Sequence, residues 1–260
     1  MSAGTTTAAV VRDGRVLRLR VARGPHGTLD GAALPLLAAA LREAHPAGVG
    51  AALLVSEGTS FCTGGDVGAF ADAADRGAFV GALAEAFHGF VTAIVACPVP
   101  VVAAVPGWAA GAGMSIVCAV DLAVAGRSTR LRPAYPGIGF SPDGGMSWTL
   151  PRLVGAGRAR RILLTDEVLD AETVLTLGIV ATAVEDAEVG AEAERLAAQL
   201  AQGPTEALGR IKRLLAESPN ATLSDQLARE AASIAASASG HEGAEGLAAF
   251  VEKRTPRFRQ

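Results

Sequence analysis

The 260-residue sequence predicts an α/β fold with a helical C-terminal part. Half of its residues are apolar, which is enough for a large core. Strand-like and helix-like segments alternate through the first two thirds of the chain, whereas helical periodicity alone continues through the last third. Two glycine-rich turns, at residues 61–66 and 107–113, each follow an apolar strand-like run in the first part.

Periodicity and composition predict the elements of the first part. Residues 16–21 alternate apolar residues with arginines, which indicates a half-buried strand. Residues 51–55 and 101–105 are short apolar runs of the kind found in buried strands. The remaining elements of this part are helices at 34–44, 78–96 and 113–119 and a short strand at 122–125.

The pattern changes after the Pro- and Gly-rich residues 133–145. Helices alone are predicted beyond them, at 156–164, 171–177, 187–201, 205–217, 223–238 and 244–254. We therefore expect residues 1–200 to form the α/β core and residues 201–260 to form a helical region that serves assembly.

Composition argues against several classes of protein. The formal net charge of −3 gives no electrostatic case for binding nucleic acid or an anionic membrane. Residues 89–120 are uncharged over a length that would span a bilayer, but prolines and glycines interrupt them, so we expect core there. Three cysteines without metal-like spacing, and an N-terminus without a signal-peptide pattern, predict a reduced, cytoplasmic protein without a metal site.

The two glycine-rich turns are the strongest chemical signal. Glycine after a buried strand leaves backbone N–H groups uncovered by side chains. On neighbouring strands, two such turns would aim two donors at one oxygen, which is the arrangement of an oxyanion hole. We expect the nearby acidic residues Asp66 and Asp121 to cap a helix and to anchor a strand end, respectively.

The order and spacing of several motifs resemble the enoyl-CoA hydratase/isomerase family, also called the crotonase superfamily. The resemblance covers nearly the whole chain, and no single motif would carry it alone. Its motifs are 61–66, 100–107, 109–113, Asp121, 139–145, 150–155, 170–171, 177–180 and 250–254.

The resemblance implies a crotonase-like fold of repeated ββα turns with a helical C-terminal region, assembled as a trimer or a dimer of trimers. It also implies an acyl-CoA substrate that brings coenzyme A with it, and no separately bound cofactor. The oxyanion donors would be the backbone N–H groups of Gly65 and Ala112. Phe250 and Lys253 match positions that contact CoA in relatives, the lysine sometimes across a subunit boundary.

The candidate acid and base set the reaction. Hydratase members use two glutamates, and the matching positions here are Ser115 and Tyr135, which disfavours water addition. Asp143, in Ser-Pro-Asp-Gly-Gly, resembles the aspartate of isomerase members, where one carboxylate removes a proton and returns it to another carbon. The same residues are also an ordinary turn sequence. Tyr135 is expected either to orient an acyl group or to hydrogen-bond Asp143.

The leading hypothesis is therefore an enoyl-CoA isomerase with Asp143 as its proton shuttle. One alternative is a CoA-thioester-binding protein without catalysis, since such a protein would also lack both glutamates. A hydratase is a further alternative. His88 matches a water-activating histidine of an aryl-CoA dehalogenase, which keeps a dehalogenase or hydrolase open. We expect residues 69–78 to border the acyl pocket.

Overall fold

The computed structural model describes residues 8–258. Residues 1–7, where the sequence predicts no signal peptide, lie outside the described part, as do residues 259–260. The fold is α/β, as predicted. Its strands are β1 (Val10–Asp13), β2 (Val16–Arg23), β3 (Thr28–Leu29), β4 (Ala51–Ser56), β5 (Val101–Val105), β6 (Trp108–Ala110), β7 (Leu122–Gly126), β8 (Arg130–Arg132), β9 (Leu169–Asp170) and β10 (Thr182–Val184).

Helices follow most of these strands, as parallel pairing requires a crossover connection. They are α1 (Leu34–Arg42), α2 (Val67–Asp72), α3 (Arg76–Ala96), α4 (Ala112–Ala119), α5 (Met146–Val154), α6 (Ala156–Thr165), α7 (Ala171–Thr176), α8 (Val189–Gln202), α9 (Thr205–Glu217), α10 (Leu223–Ser239) and α11 (His241–Val251). Helix α5 was not predicted, because two glycines precede it and Pro151 lies inside it.

Two sheets organise the part of the chain that the structure describes. The larger has the order β1-β2-β4-β5-β7-β10, with β3 added beside β2. Strands β2, β4, β5, β7 and β10 pair in parallel, with β10 at one edge, and β1 pairs antiparallel with β2 at the other edge. The smaller sheet joins β6, β8 and β9.

The larger sheet is covered on both faces. Along β4, Ala52 and Leu54 join the main core with α1, α3 and α4, whereas Ala51 and Leu53 point to α8 on the other side. Helix α8 presents Ala193, Ala197 and Ala201 to that side at four-residue spacing. Burial on both faces explains why the central strands read as continuous apolar runs.

The uncharged stretch 89–120 forms the end of α3, then β5, β6 and α4. The helix end, the buried strand β5 and the buried helix α4 were predicted, whereas β6 was not. One part of the prediction was wrong: residues 107–113 are not one continuous turn. Two left-handed glycines, Gly107 and Gly111, flank the short strand β6, which pairs with β8.

Among the described residues, α3 alone has a length and composition that would also allow a membrane span. Its buried face, which includes Phe87, Phe90 and Ile94, packs in the main core.

Asp66 and Asp121 have the structural roles that the sequence predicts. Asp66 accepts a 3.1 Å hydrogen bond from the Ala69 backbone N–H and caps α2. Asp121 accepts one of 2.7 Å from the Val101 N–H, at the start of β5, and pairs with Lys212 of α9. Asp121 therefore anchors the strand that leads to the second glycine turn.

The three cysteines are buried and free. Burial raises the pKa of the Cys62 and Cys118 thiols to about 12, so neither is a thiolate nucleophile at neutral pH. Cys62, although it lies in the first glycine turn, is a packing residue.

The helices beyond residue 202 leave apolar side chains on the surface of the single chain. Helix α10 has no buried residue. The exposed large apolar residues of α9, α10 and α11 are Ile211, Leu215, Leu223, Leu227, Ile234, Leu247, Phe250 and Val251. This face has no partner within residues 8–258, whereas α8 is part of the packed core.

Candidate active site

A cavity of about 760 Å³ lies where the two glycine turns meet α2, α3 and the segment before α5. Both proposed oxyanion donors and the proposed base, Gly65, Ala112 and Asp143, are among its lining residues. Most of the remaining lining is apolar, as is typical of small-molecule sites.

The two turns pack directly against each other. The Cys62 carbonyl accepts a 2.8 Å hydrogen bond from the Ala110 N–H, and Cys62 also bridges to Ala109. A side chain at Gly113 would place its Cβ 2.0 Å from the Cys62 carbonyl oxygen. Glycine at position 113 is therefore required for α4 to begin beside the first turn.

The Gly65 and Ala112 N–H groups donate to no acceptor within residues 8–258. Ala112 is the first residue of α4, where backbone N–H groups lack a helical partner and the helix dipole adds positive potential. Gly111, which precedes it, has φ 55° and ψ −121°, a conformation that essentially only glycine adopts. Two uncommitted donors thus border one cavity, which suits the stabilisation of a developing oxyanion.

Asp143 is the only acidic residue among the described residues that line the cavity. Its Oδ1 atom accepts a 2.7 Å hydrogen bond from the Tyr135 hydroxyl. Its backbone carbonyl accepts one of 3.0 Å from the Ser115 hydroxyl. The other carboxylate oxygen, Oδ2, accepts no hydrogen bond from the described residues and is free for proton transfer.

Tyr135 and Ser115 support this carboxylate from the buried side. Ser115 is fully buried on α4, and its Oγ lies 3.2 Å from the Tyr135 hydroxyl. Burial is the larger cause, and the nearby Asp143 charge the smaller cause, that raises the pKa of Tyr135. The phenol therefore keeps its proton. Since Tyr135 gives that proton to Asp143, the single hydroxyl proton of Ser115 goes either to the Asp143 carbonyl or to the Tyr135 oxygen.

A second carboxylate, Asp166, fixes the backbone just before Tyr135. Ala134 has φ 63°, a left-handed conformation that costs a non-glycine residue about 1 kcal/mol. Asp166 Oδ1 accepts a 2.7 Å hydrogen bond from the Ala134 N–H, and its Oδ2 pairs with Arg132 at 2.6 Å. Sequence analysis missed Asp166, because the 32-residue separation leaves no local signal.

Four of the expected site residues do not line the cavity. Ser115 is fully buried, and the other three are exposed. His88 is exposed and does not line the cavity, although the preceding residue on α3, Phe87, does. Adjacent residues of a helix point to different faces, so a step of one residue turns the His88 side chain away. This placement corrects the expectation for His88. Phe250 and Lys253, at the end of α11, are exposed and outside this cavity, with Phe250 84% accessible. A CoA contact from either would have to be made in another way.

Several lining residues were not named from the sequence. Phe70, Arg76 and Gly77 come from the 69–78 stretch that we expected to border a pocket. The aromatic walls Phe87 and Phe140 were missed, because aromatic residues at helical or loop positions most often serve the core. No group of three or more His, Cys, Asp or Glu within residues 8–258 is arranged to hold a metal ion.

Comparison with known proteins agrees with this geometry. The sequence model of the family described as "Enoyl-CoA hydratase/isomerase" matches residues 14–260. The chain is 37% identical, over 209 residues, to a Rhodobacter capsulatus protein named "Probable enoyl-CoA hydratase", covering 80% of each chain. It is 34% identical, over 208 residues, to the 1,2-epoxyphenylacetyl-CoA isomerase of Escherichia coli, covering 79% of each.

A solved structure gives the same result for the fold. The chain superposes on the crystal structure of an enoyl-CoA hydratase from Polaromonas sp. JS666 with a TM-score of 0.90 and 32% identity. That match covers 95% of this chain and 97% of the other. The similar proteins thus carry both hydratase and isomerase names. Similarity alone therefore does not distinguish the two reactions, and the residues of the site have to.

Proposed function

Because the chain belongs to the enoyl-CoA hydratase/isomerase family, whose members are enzymes that act on CoA thioesters, we propose that it isomerises an enoyl-CoA with Asp143 as a single proton shuttle. The observation that carries the proposal is the lone carboxylate of the cavity. Asp143 has neutral hydroxyls, Tyr135 and Ser115, beside it and no second acidic residue among the described lining residues.

The first step is enolate formation. The thioester carbonyl oxygen would accept hydrogen bonds from the Gly65 and Ala112 N–H groups, which makes the neighbouring C2 proton more acidic. Asp143 Oδ2 takes that proton. The C2–H electron pair forms a C1–C2 double bond, and the carbonyl π pair moves to the oxygen held by the two donors.

The second step returns the same proton. The oxyanion re-forms the carbonyl, the C1–C2 pair moves to C2–C3, and the former C3–C4 π pair takes the proton from Asp143 at C4. Atoms and charge balance without any co-reactant, so this sequence needs no resident cofactor. The apolar walls support it, because they keep competing water away from the enolate.

Hydration is a second candidate, supported by the 37% identical relative named as a hydratase. It would require Asp143 and Tyr135 to hold a water molecule and to supply both proton transfers. A Tyr135 hydroxyl whose pKa is raised by burial serves poorly as a base. A dehalogenase has less support, because exposed His88 lies outside the cavity lining.

For assembly we propose a homotrimer or a dimer of trimers, formed through the apolar residues of α9, α10 and α11. Burial of those side chains against other copies would remove a large apolar surface from water. In such an assembly Phe250 and Lys253 could reach the CoA moiety bound to a neighbouring subunit.

Incubation of the protein with a 3-enoyl-CoA in D₂O tests the proposed reaction. Isomerisation predicts conversion to the 2-enoyl-CoA, no 3-hydroxyacyl-CoA, and partial transfer of the original C2 proton to C4. A 3-hydroxyacyl-CoA product at a comparable rate would instead identify a hydratase. Tight binding with neither conversion of the substrate nor exchange of its C2 proton would identify a binding protein.

A further inference from the structure

We propose that the acyl end of this cavity is built for a flat, ring-bearing acyl group, and that Gly81 of α3 sets the width that admits it. This inference rests on the proposed function in one respect, because it takes from it the position of the thioester carbonyl beside the Gly65 and Ala112 N–H groups. It adds the substrate class that the reaction type leaves open.

Two phenylalanines line the cavity close to an oxyanion donor and to the base. A Cβ added at Gly65 would lie 2.5 Å from Cζ of Phe70, so the Phe70 ring lies directly against the first donor. A Cβ added at Gly144 would lie 2.2 Å from Cε1 of Phe87, so the Phe87 ring touches the residue after Asp143. An acyl group that reaches from the donors to Asp143 therefore occupies a space that both rings line.

Small residues on α3 form another wall of the same space. Gly77, Val80, Gly81 and Ala84 line the cavity at the three- and four-residue spacing of one helix face. Glycine within a helix is less favourable than alanine, so two glycines on this face call for an explanation. Packing does not require glycine at position 81, since a Cβ added there would meet no atom within 4 Å. Gly81 is exposed and lines the cavity, so the open space beside it is continuous with the cavity at its outer side.

The walls suit a ring better than a straight alkyl chain. Phe70 and Phe140 both line the cavity, with ring planes 17° apart and centroids separated by 6.3 Å. Flat apolar faces of this kind accept an offset-stacked or edge-on aromatic group. A straight chain would leave the width beside Gly81 unfilled and would lose dispersion contacts there.

Equilibrium binding of three thioesters tests this inference without any turnover. The ligands are phenylacetyl-CoA, octanoyl-CoA with the same number of acyl carbons, and butanoyl-CoA as a small acyl group. We expect the wild type to bind phenylacetyl-CoA about tenfold more tightly than octanoyl-CoA. Gly81→Leu should weaken phenylacetyl-CoA binding by about tenfold or more, while butanoyl-CoA binding changes less than about threefold.

Gly89→Leu is the matched control. Gly89 lies on the same helix, a Cβ added there also meets no atom within 4 Å, and the residue does not line the cavity. Its substitution should change binding of none of the ligands. If Gly81→Leu does not fold, Gly81→Ala, which favours the helix, should still weaken phenylacetyl-CoA binding selectively by about threefold.

A wild type that prefers octanoyl-CoA, or a Gly81 variant that loses all three ligands equally or none, would overturn the inference. A wild type that binds no CoA thioester would overturn the proposed function as well. Normal selectivity in these binding assays with failed isomerisation would overturn the proposed reaction alone.

Discussion

The Tyr135 hydroxyl donates a 2.7 Å hydrogen bond to Oδ1 of Asp143 inside the cavity that also contains the two uncommitted N–H donors. This contact holds one carboxylate oxygen and leaves the other for the substrate. The raised pKa of Tyr135, caused mainly by burial, keeps the phenol a donor throughout the physiological pH range. In the proposed reaction, the hydrogen bond would give the Asp143 base a fixed orientation.

Removal of the Tyr135 hydroxyl should disorient the base without affecting substrate recognition. For Tyr135→Phe we expect kcat on a 3-enoyl-CoA to fall by about tenfold or more, because misplacement of a catalytic group lowers the rate steeply. KM should change by less than about threefold, since the hydroxyl holds Asp143 rather than the thioester. Steady-state kinetics with a 3-enoyl-CoA measures both constants.

Two further results decide the meaning of that variant. Its urea unfolding midpoint should stay close to that of the wild type, because the phenyl ring keeps the packing. A Tyr135→Phe protein with unchanged kcat would show that the hydrogen bond to Asp143 is incidental. A rise in KM alone would assign Tyr135 to substrate binding.

The contact between the two glycine turns should tolerate no added methyl group. In Gly113→Ala the new Cβ would lie 2.0 Å from the Cys62 carbonyl oxygen, and neither backbone can move away cheaply. We expect the free energy of unfolding to fall by about 3 kcal/mol. Any folded fraction should lose about a hundredfold in kcat, since separation of the turns separates the two donors.

Gly89→Ala, on α3, serves as the control for that variant, because an added Cβ there meets no atom within 4 Å. It should raise the free energy of unfolding by up to about 1 kcal/mol, the difference between alanine and glycine in a helix. Denaturant titration of both variants measures the two changes. Equal stabilities of Gly113→Ala and the wild type would contradict the packing described for the turns.

The proposed assembly predicts that charge on α10 will separate the subunits. Leu227 and Ile234 are exposed and seven residues apart, so they lie on one face of the helix. The double change Leu227→Glu and Ile234→Glu should convert a trimer or hexamer into monomers in sedimentation analysis, since it buries unpaired charge at the interface. A wild type that sediments as a monomer, or a variant whose mass is unchanged, would reject this interface.

Much of the fold follows from local patterns in the sequence. The buried strands β4, β5 and β7 and the long helix α3 were predicted because apolar runs and helical spacing are local properties. Short strands such as β6 and β8 were not, because their pairing depends on partners distant along the chain. Helix α5 was missed because Pro151 and its preceding glycines signal irregular structure.

The candidate site was likewise predicted from the sequence only in part. Gly65, Ala112 and Asp143 were named from motifs, and all three line one cavity. Whether Tyr135 would hydrogen-bond Asp143 or orient an acyl group was open, because only three-dimensional placement distinguishes those roles. Asp166 left no sequence signal, as its hydrogen bond to Ala134 arises from the meeting of α6 with the segment before Tyr135.

The most direct test of the central claim is the turnover of a 3-enoyl-CoA by Asp143→Asn, measured together with its affinity for the thioester. We predict that kcat falls by at least about a hundredfold while Kd changes less than about threefold, because the amide cannot accept the proton but keeps the shape of the side chain. Asp170→Asn, an exposed cap of α7 where asparagine caps equally well, should retain full activity. Wild-type turnover by Asp143→Asn would contradict the account.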